Sequence, residues 1–253
     1  MADALMDTKR PPARLRSFNP LIRKLTSAGG LTEDDRQALD ALCGTSRQVE
    51  TKQDIISQGD PPSDVHLVLD GFACRYKVLP DGGRQIVAVM VPGDFCDLHV
   101  AILGEMDHGI TTLSPCTIVD IPVATVQDLT ENHRRIARTL WWATLVDEAI
   151  LREWLVNLGQ REAAERLSHF FCEMLMRLQL VGYVDENSYN LPLRQHDLAD
   201  LLGLTSVHVN RTIQYLRAEG LITLKQYRLT IPDLTRLKAF CNFDPTYLHQ
   251  RLS

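Results

Sequence analysis

Several side chains within residues 205–228 have the chemistry that proteins use to recognise DNA. Arginine can donate to both major-groove acceptors of guanine, asparagine and glutamine suit adenine, and valine can contact the methyl group of thymine. We expect base contacts from Ser206, Val207, Asn210, Arg211 and Gln214. Neighbouring hydroxyl, imidazole and basic groups would bind phosphates, namely those of Thr205, His208, Arg217, Lys225 and Arg228. The plainer alternative is an ordinary helix with a solvated outer face.

The surrounding residues predict the elements that would hold these side chains in place. A first helix is predicted over residues 195–202 and ends at Gly203, because glycine adopts the left-handed conformation that closes a helix. Thr205 is placed to cap a second helix over residues 206–219. That helix has apolar residues at helical spacing on its other side, namely Val209, Ile213 and Leu216. A two-stranded wing over residues 221–231 completes a predicted winged helix-turn-helix.

The distribution of charge agrees with this interpretation. The chain has 253 residues, which is long enough for two domains, and a net charge of −5. From residue 161 onwards there are 11 basic and 10 acidic residues, whereas the preceding part has 16 basic and 22 acidic residues. Residues 204–231 hold four basic residues and one acidic residue. The positive charge therefore coincides with the predicted DNA-binding surface.

The sequence predicts a cytoplasmic protein that does not enter a membrane. No segment is long and apolar enough to span a bilayer, and the N-terminus lacks the apolar core of a signal peptide. Six scattered cysteines contain no CxxC pair, so we expect free thiols in a reducing compartment. They are Cys43, Cys74, Cys96, Cys116, Cys172 and Cys241.

The N-terminal half has the pattern of a β-domain. Residues 1–30 are predicted to form a flexible arm, and Thr32 with Asp35 predicts a capping box at the start of a helix. Over residues 49–121, short apolar runs alternate with turn signals, which is typical of a barrel or sandwich. The Pro-Asp-Gly-Gly segment at 80–83 is a hairpin signal within it.

A long helix is predicted from about residue 133 to residue 158, with two apolar stripes. Two stripes need two covering surfaces, so we expect one to pack on the β-domain and the other on the same helix of a second subunit. The alternative is a central helix buried inside a single chain. The predicted dimer contacts are Trp141, Leu145, Leu151, Trp154, Leu155 and Leu158.

The order of these parts resembles the Crp/Fnr superfamily of bacterial transcription regulators. In the β-domain the resemblance is carried by ISQGD (56–60), LVLDG (67–71), GRQIV (83–87) and PGDF (92–95). In the DNA-binding unit it is carried by RQ (194–195), DLADLLGLT (197–205), VNR (209–211) and LRAEGLI (216–222). Each fragment is short, but their order and spacing together are specific.

The resemblance implies an α+β fold and a homodimeric, sequence-specific regulator. The expected parts are a β-roll sensor domain (31–131) of the cyclic-nucleotide-binding-like jelly-roll type, a dimerisation helix (132–159), a winged helix-turn-helix (160–235) and a C-terminal tail (236–253). Two recognition helices would enter major grooves of a pseudo-palindromic operator on double-stranded DNA. Such regulators recruit or block RNA polymerase.

Two departures from the family pattern stand out. Many members have glutamate at the position of Val207, and valine cannot accept a hydrogen bond from cytosine, so we expect a different half-site. Members that bind cyclic nucleotides also carry an arginine for the cyclic phosphate, whereas this chain has no arginine between Arg84 and Arg134. An unmatched buried phosphate is unfavourable, so control by cyclic AMP is not expected.

Other sensor chemistries remain open at this stage. An iron–sulfur cluster of the Fnr type is disfavoured because no cysteine precedes Cys43. We expect no resident cofactor or metal, with haem as the alternative. Cys96, His99 and His108 are the candidates for lining an effector pocket, and an unknown small-molecule effector is compatible with the sequence.

Three function classes therefore compete. The first is a DNA-binding transcription regulator. The second is a cyclic-nucleotide-binding-like protein that regulates another protein, or a haem or redox gas sensor. The third, an enzyme, is disfavoured because the sequence lacks the phosphate loop, HExxH and GxSxG motifs.

Overall fold

The computed structural model describes residues 19–250, and its N-terminal part is a β-roll of two antiparallel sheets. One sheet has the order β1-β7-β3 and the other β2-β6-β4-β5. The strands are β1 (Arg47–Val49), β2 (Asp54–Ile56), β3 (Asp64–Asp70), β4 (Ala73–Val78), β5 (Arg84–Met90), β6 (Gly109–Thr112) and β7 (Cys116–Pro122). The sequence pattern predicted neither β1 nor β6. All four residues of β6 are buried, so it shows no alternation of apolar and polar positions.

The N-terminal helices correct one prediction and confirm another. Residues 1–18 of the predicted arm lie outside the described residues, but the arm does not extend to residue 30. Helix α1 (Pro20–Thr26) follows the N-cap Asn19, and Leu21 and Leu25 are fully buried because their spacing of four residues places both on the packed side. Helix α2 (Glu33–Leu42) has the predicted capping box between Thr32 and Asp35.

Helices α4 (Val123–Asn132) and α5 (Arg134–Gln160) join the β-roll to the C-terminal domain, whereas the short helix α3 (Val100–Leu103) lies within the β-roll between β5 and β6. The long helix α5 buries Ile136, Leu140 and Ala143 against the β-roll. None of the helices within residues 19–250 has the length and apolar content required to span a membrane.

The C-terminal domain is built around α6 (Ala163–Val181), whose side chains are buried over most of its length. Helices α7 (Gln195–Leu202) and α8 (Ser206–Ala218) pack beside it. The predicted two-stranded wing is part of a larger sheet of order β10-β11-β9-β8. Its strands are β8 (Val184–Asp185), β9 (Ser188–Asn190), β10 (Thr223–Lys225) and β11 (Arg228–Thr230).

The predicted C-terminal tail is structured, and the domain therefore continues past residue 235. Helix α9 (Leu234–Phe240) and a 3₁₀ helix (Pro245–Leu248) follow the wing. Leu237 and Leu248 are buried in the same core as α6. The apolar residues of this segment did not reveal the packing in the sequence, because the surface that covers them comes from a helix far away in the chain.

Ion pairs between distant segments fix the domains to each other. Asp94 of the β-roll accepts from Lys24 of α1 and from Arg177 of α6, each at 2.7 Å. Burial opposes ionisation of this carboxyl group, but the two cations outweigh it and lower the pKa of Asp94 to about 2. Arg84 of β5 donates to Asp200 at 2.7 Å and to Asp197 at 2.9 Å, which attaches the β-roll to α7.

Candidate nucleic-acid interface

The turn between α7 and α8 sets the direction of the second helix. Gly203 has a φ of +64° at the end of α7, a conformation that glycine adopts without steric cost. The N–H of Leu204 donates to the carbonyl of Ala199 at 3.1 Å and closes the turn. Thr205 then caps α8, because its hydroxyl oxygen accepts from the N–H of His208 at 3.2 Å. Glycine, cap and helix start were all predicted from the sequence.

One side of α8 is fixed in the core. Val209 and Leu216 are fully buried and Ile213 is almost so, all within the cluster that includes α6 and α7. The Thr212 hydroxyl donates to the carbonyl of His208 at 2.9 Å, so this buried polar group is satisfied inside the helix. The rotation of α8 about its own axis is therefore determined by packing.

The opposite side of α8 presents the predicted base-contacting residues to solvent. Val207 is 63% exposed, Ser206, Arg211 and Gln214 are exposed, and Asn210 is half-buried. Within residues 19–250 the guanidinium of Arg211 has no hydrogen-bond or ion-pair partner, so all its donors are free for a ligand.

The predicted phosphate-binding residues differ in whether their side chains already have a partner within the chain. Thr205, His208 and Lys225 are exposed, and the Thr205 hydroxyl keeps its own proton after accepting the capping bond. Arg217 donates weakly to Gln214 at 3.5 Å. Arg228 is paired with Asp185 at 2.9 Å, a solvent-exposed pair that a phosphate can displace at little cost.

Two exposed tyrosines at this surface had no place in the sequence-based prediction. Tyr215 follows Arg211 by four residues and so lies on the same face of α8, where it is 47% exposed. Tyr227 is at the tip of the wing, in a turn where Gln226 and Tyr227 both have positive φ. The helical spacing was a sufficient signal for Tyr215, whereas no sequence signal identified Tyr227.

The long helix α5 presents an apolar stripe to solvent on the side facing away from the β-roll. Trp141 is 68% and Leu155 is 74% exposed. Leu145 and Leu151 are also exposed, and Leu158 is half-buried against the core of its own chain.

Trp154 does not belong to this surface, and its assignment to the dimer contacts is wrong. It is only 9% exposed and packs edge-on against Phe170 of α6. Its indole N–H donates to Glu173 at 3.1 Å. Trp154 and Leu155 are neighbours in sequence but point in directions about 100° apart around a helix, so one is buried and the other exposed.

The candidate effector residues are only partly brought together. The rings of His99 and His108 have centroids 5.3 Å apart. Cys96 is fully buried, and burial raises the pKa of its thiol well above the usual range. Such a thiol is a poor nucleophile and a poor metal ligand.

Arg75 of β4 enters the same region and was not recognised in the sequence. The arginine-free stretch of the sequence begins after Arg84 on β5, whereas Arg75 reaches the loop after β5 from the preceding strand. Its guanidinium donates to the carbonyls of Cys96 at 2.6 Å and Phe95 at 3.1 Å. It also contacts Asp147 of α5 at 3.2 Å. These contacts connect the loop to the long helix.

Comparison with known proteins supports both halves of this architecture. Residues 46–133 match the family model of the cyclic nucleotide-binding domain, and residues 165–240 match that of the Crp-like helix-turn-helix domain. The nitrogen fixation regulation protein FixK of Bradyrhizobium diazoefficiens is 30% identical over 186 residues, which cover 73% of this chain and 77% of that protein.

Two further similarities extend over most of the chain. The transcriptional activator protein FnrL of Cereibacter sphaeroides is 28% identical over 196 residues, covering 76% of this chain and 78% of that protein. The solved structure of FixK2 from Bradyrhizobium japonicum superimposes with a TM-score of 0.70 at 24% identity, covering 77% of this chain and 96% of that one. This superposition shows that the present chain and FixK2 share a fold.

Proposed function

This chain belongs to the Crp/Fnr family of bacterial DNA-binding transcription regulators, and we propose that it binds a pseudo-palindromic operator as a homodimer. One observation carries the proposal. Arg211 stands free on the solvent side of α8, while the other side of the same helix is buried against α6 and α7. A helix held in this way can enter a major groove without losing core contacts.

The outer face of α8 supports specific roles for its side chains. Arg211 would donate to O6 and N7 of a guanine, and Asn210 and Gln214 would bond adenine. Val207 would contact a thymine methyl group, and Ser206 would bond a base edge at the start of the helix. The half-site would thus include a guanine, and a thymine in place of the cytosine that a glutamate would select.

The surrounding polar groups would fix the helix on the backbone of the duplex. Thr205 and His208 are at the N-terminus of α8, where the helix dipole favours a phosphate. Lys225 and Arg228 are on the wing, and Arg217 is on the last turn of α8. These contacts would add affinity but no base selectivity.

A second copy of the chain is the occupant that best fits the exposed stripe of α5. Contiguous exposed apolar side chains mark interaction surfaces, and the same stripe on two copies of one helix would pack in a two-fold arrangement. The residues that support this contact are Trp141, Leu145, Leu151 and Leu155. Pairing through α5 would place the two recognition helices on one duplex.

The proposed dimer would act on transcription by binding rather than by catalysis. It would recruit or obstruct RNA polymerase at its operator, and its action on DNA would place it in the bacterial cytoplasm. Cyclic AMP is not the proposed signal. Arg75, the arginine that does reach the sensor region, already donates to two carbonyls and to Asp147, so it offers no free guanidinium to a cyclic phosphate.

A pair of variants tests the groove assignment. Binding to a library of random duplexes would be selected and sequenced for the wild type, Arg211→Ala and Lys225→Ala. Arg211→Ala should weaken binding to the selected operator by roughly 1–3 kcal/mol and relax base choice at one position in each half-site. Lys225→Ala removes the same charge, but should weaken all sequences equally and reduce the salt dependence. Unchanged base preference in Arg211→Ala would contradict the proposal.

A further inference from the structure

Two histidines and an aspartate converge at one end of the β-roll, away from the DNA-binding surface. His99 precedes α3, and Asp107 and His108 precede β6. One ring nitrogen of each histidine and one carboxylate oxygen of Asp107 lie within 4.8 Å of one another. The turn of α3 brings these positions together, although eight residues separate the two histidines in sequence.

The hydrogen bonding of this cluster is incomplete. Asp107 Oδ1 and His108 Nδ1 are 2.6 Å apart, whereas His99 Nε2 is 3.9 Å from the same oxygen. The Nε2 atoms of both His99 and His108 are buried and have no hydrogen-bond partner within residues 19–250. His108 itself is more than nine-tenths buried. Two buried nitrogens without partners are unfavourable unless a ligand satisfies them.

We propose that His99, Asp107 and His108 bind a first-row divalent transition-metal ion. Imidazole nitrogens together with a carboxylate suit ions such as Zn²⁺ or Fe²⁺, and the bond from Zn²⁺ to a histidine nitrogen is about 2.0–2.1 Å long. Three protein ligands leave at least one coordination position for water or for a small signal molecule.

The surroundings of the cluster favour ligation at these atoms. Burial lowers the pKa of both His99 and His108, and the neutral imidazole is the form that binds a metal ion. Asp107 is mostly exposed, and among the described residues outside the cluster its carboxylate forms an ion pair only with Lys77, at 3.8 Å, so it can move towards an ion.

The backbone beside His108 is also held in place. The β6 residue Gly109 lies directly against the ring of Tyr76, and a Cβ at this position would come within 2.6 Å of that ring. This close approach fixes the strand next to His108, while the exposed side chain of Asp107 can change its position. Arg75, whose charge acts on both histidines, is compensated by Asp147 and two backbone carbonyls, which reduces its repulsion of a cation.

The test uses the full chain, purified without a polyhistidine tag, treated with a chelator and kept reduced. Zn²⁺ binding would be measured by calorimetry and Co²⁺ binding by its visible absorption spectrum. We expect one ion per chain, and losses of affinity in His99→Gln and His108→Gln that are at least as large as the roughly 10- to 100-fold loss caused by removing an outer-shell partner of a metal ligand. His133→Gln, which changes a histidine between α4 and α5, is the matched control and should bind the ion like the wild type.

Two further results decide the matter if a histidine variant fails to fold. Asp107→Asn alters a mostly exposed residue, so it should fold, and it should weaken Zn²⁺ binding by at least the roughly tenfold that removal of an outer-shell partner of a metal ligand costs. The Co²⁺ spectrum of the wild type should show nitrogen and oxygen ligation without thiolate charge-transfer bands, because Cys96 is outside the cluster. Equal Zn²⁺ affinity in Asp107→Asn and the wild type, or a thiolate spectrum, would overturn the proposal. Neither result depends on DNA binding.

Discussion

Leu155 provides the sharpest test of how two chains pair. Full burial of a leucine side chain contributes about 1.5–3 kcal/mol, and Leu155 has 74% of its surface exposed in the single chain. About three quarters of that contribution is thus available to an interface, and a symmetric dimer buries two copies of Leu155, which doubles the effect. Alanine retains the Cβ, so Leu155→Ala should cost a dimer about 2–3 kcal/mol, or roughly a 30- to 150-fold rise in the dimer Kd.

Sedimentation over a range of concentrations measures this dimer Kd, and titration of an operator with two half-sites follows its effect on DNA binding. Leu103→Ala changes a leucine of nearly equal exposure, 71%, on α3, and should leave the dimer intact. Trp154→Phe changes the adjacent residue on α5, but that side chain faces the core, so it should lower stability without separating the chains. A dimer Kd that is the same for Leu155→Ala and Leu103→Ala would refute the packing of α5 against a second copy.

Two further predictions concern the ion pairs between domains. Asp94→Asn should lower the free energy of unfolding at pH 7 by roughly 2–3 kcal/mol, because Lys24 and Arg177 lower the pKa of Asp94 to about 2. This stabilisation is present above pH 4 and is lost as the pH falls from about 4 towards 2. In denaturant unfolding, the free energies of unfolding of the wild type and the variant should therefore converge over this pH range. A difference in free energy that does not change with pH would contradict the argument. Arg84→Ala removes both ion pairs to α7, and amide hydrogen exchange should become faster in α7 but not in β6. Equal exchange of α7 in both proteins would show that these pairs do not hold the domains together.

The DNA-binding unit could be predicted in detail because its signals are local. Gly203, the Thr205 cap and the spacing of Val209, Ile213 and Leu216 all act within one or two helical turns. Short-range hydrogen bonds and helical periodicity can be recognised in such an element without knowledge of its distant contacts. The structure therefore confirms the helix boundaries to within a residue, with α8 ending at Ala218.

The parts that sequence reasoning missed depend on partners far away in the chain. Helix α1 and the C-terminal segment were predicted as arm and tail, yet Leu21 and Leu248 are buried against elements more than 60 residues distant. Strand β8 has two residues, too few for an alternating pattern. In each case the stabilising surface is supplied by another segment.

The sequence by itself determined that α5 has two apolar stripes and that α8 has one polar face. Only the tertiary structure decided that Trp154 faces the core while Leu155 faces solvent, because that choice depends on where α6 packs. The same holds for His99 and His108, which share a site only once α3 and β6 are in place. Helical spacing is a property of neighbouring residues, whereas burial and convergence are properties of the folded chain.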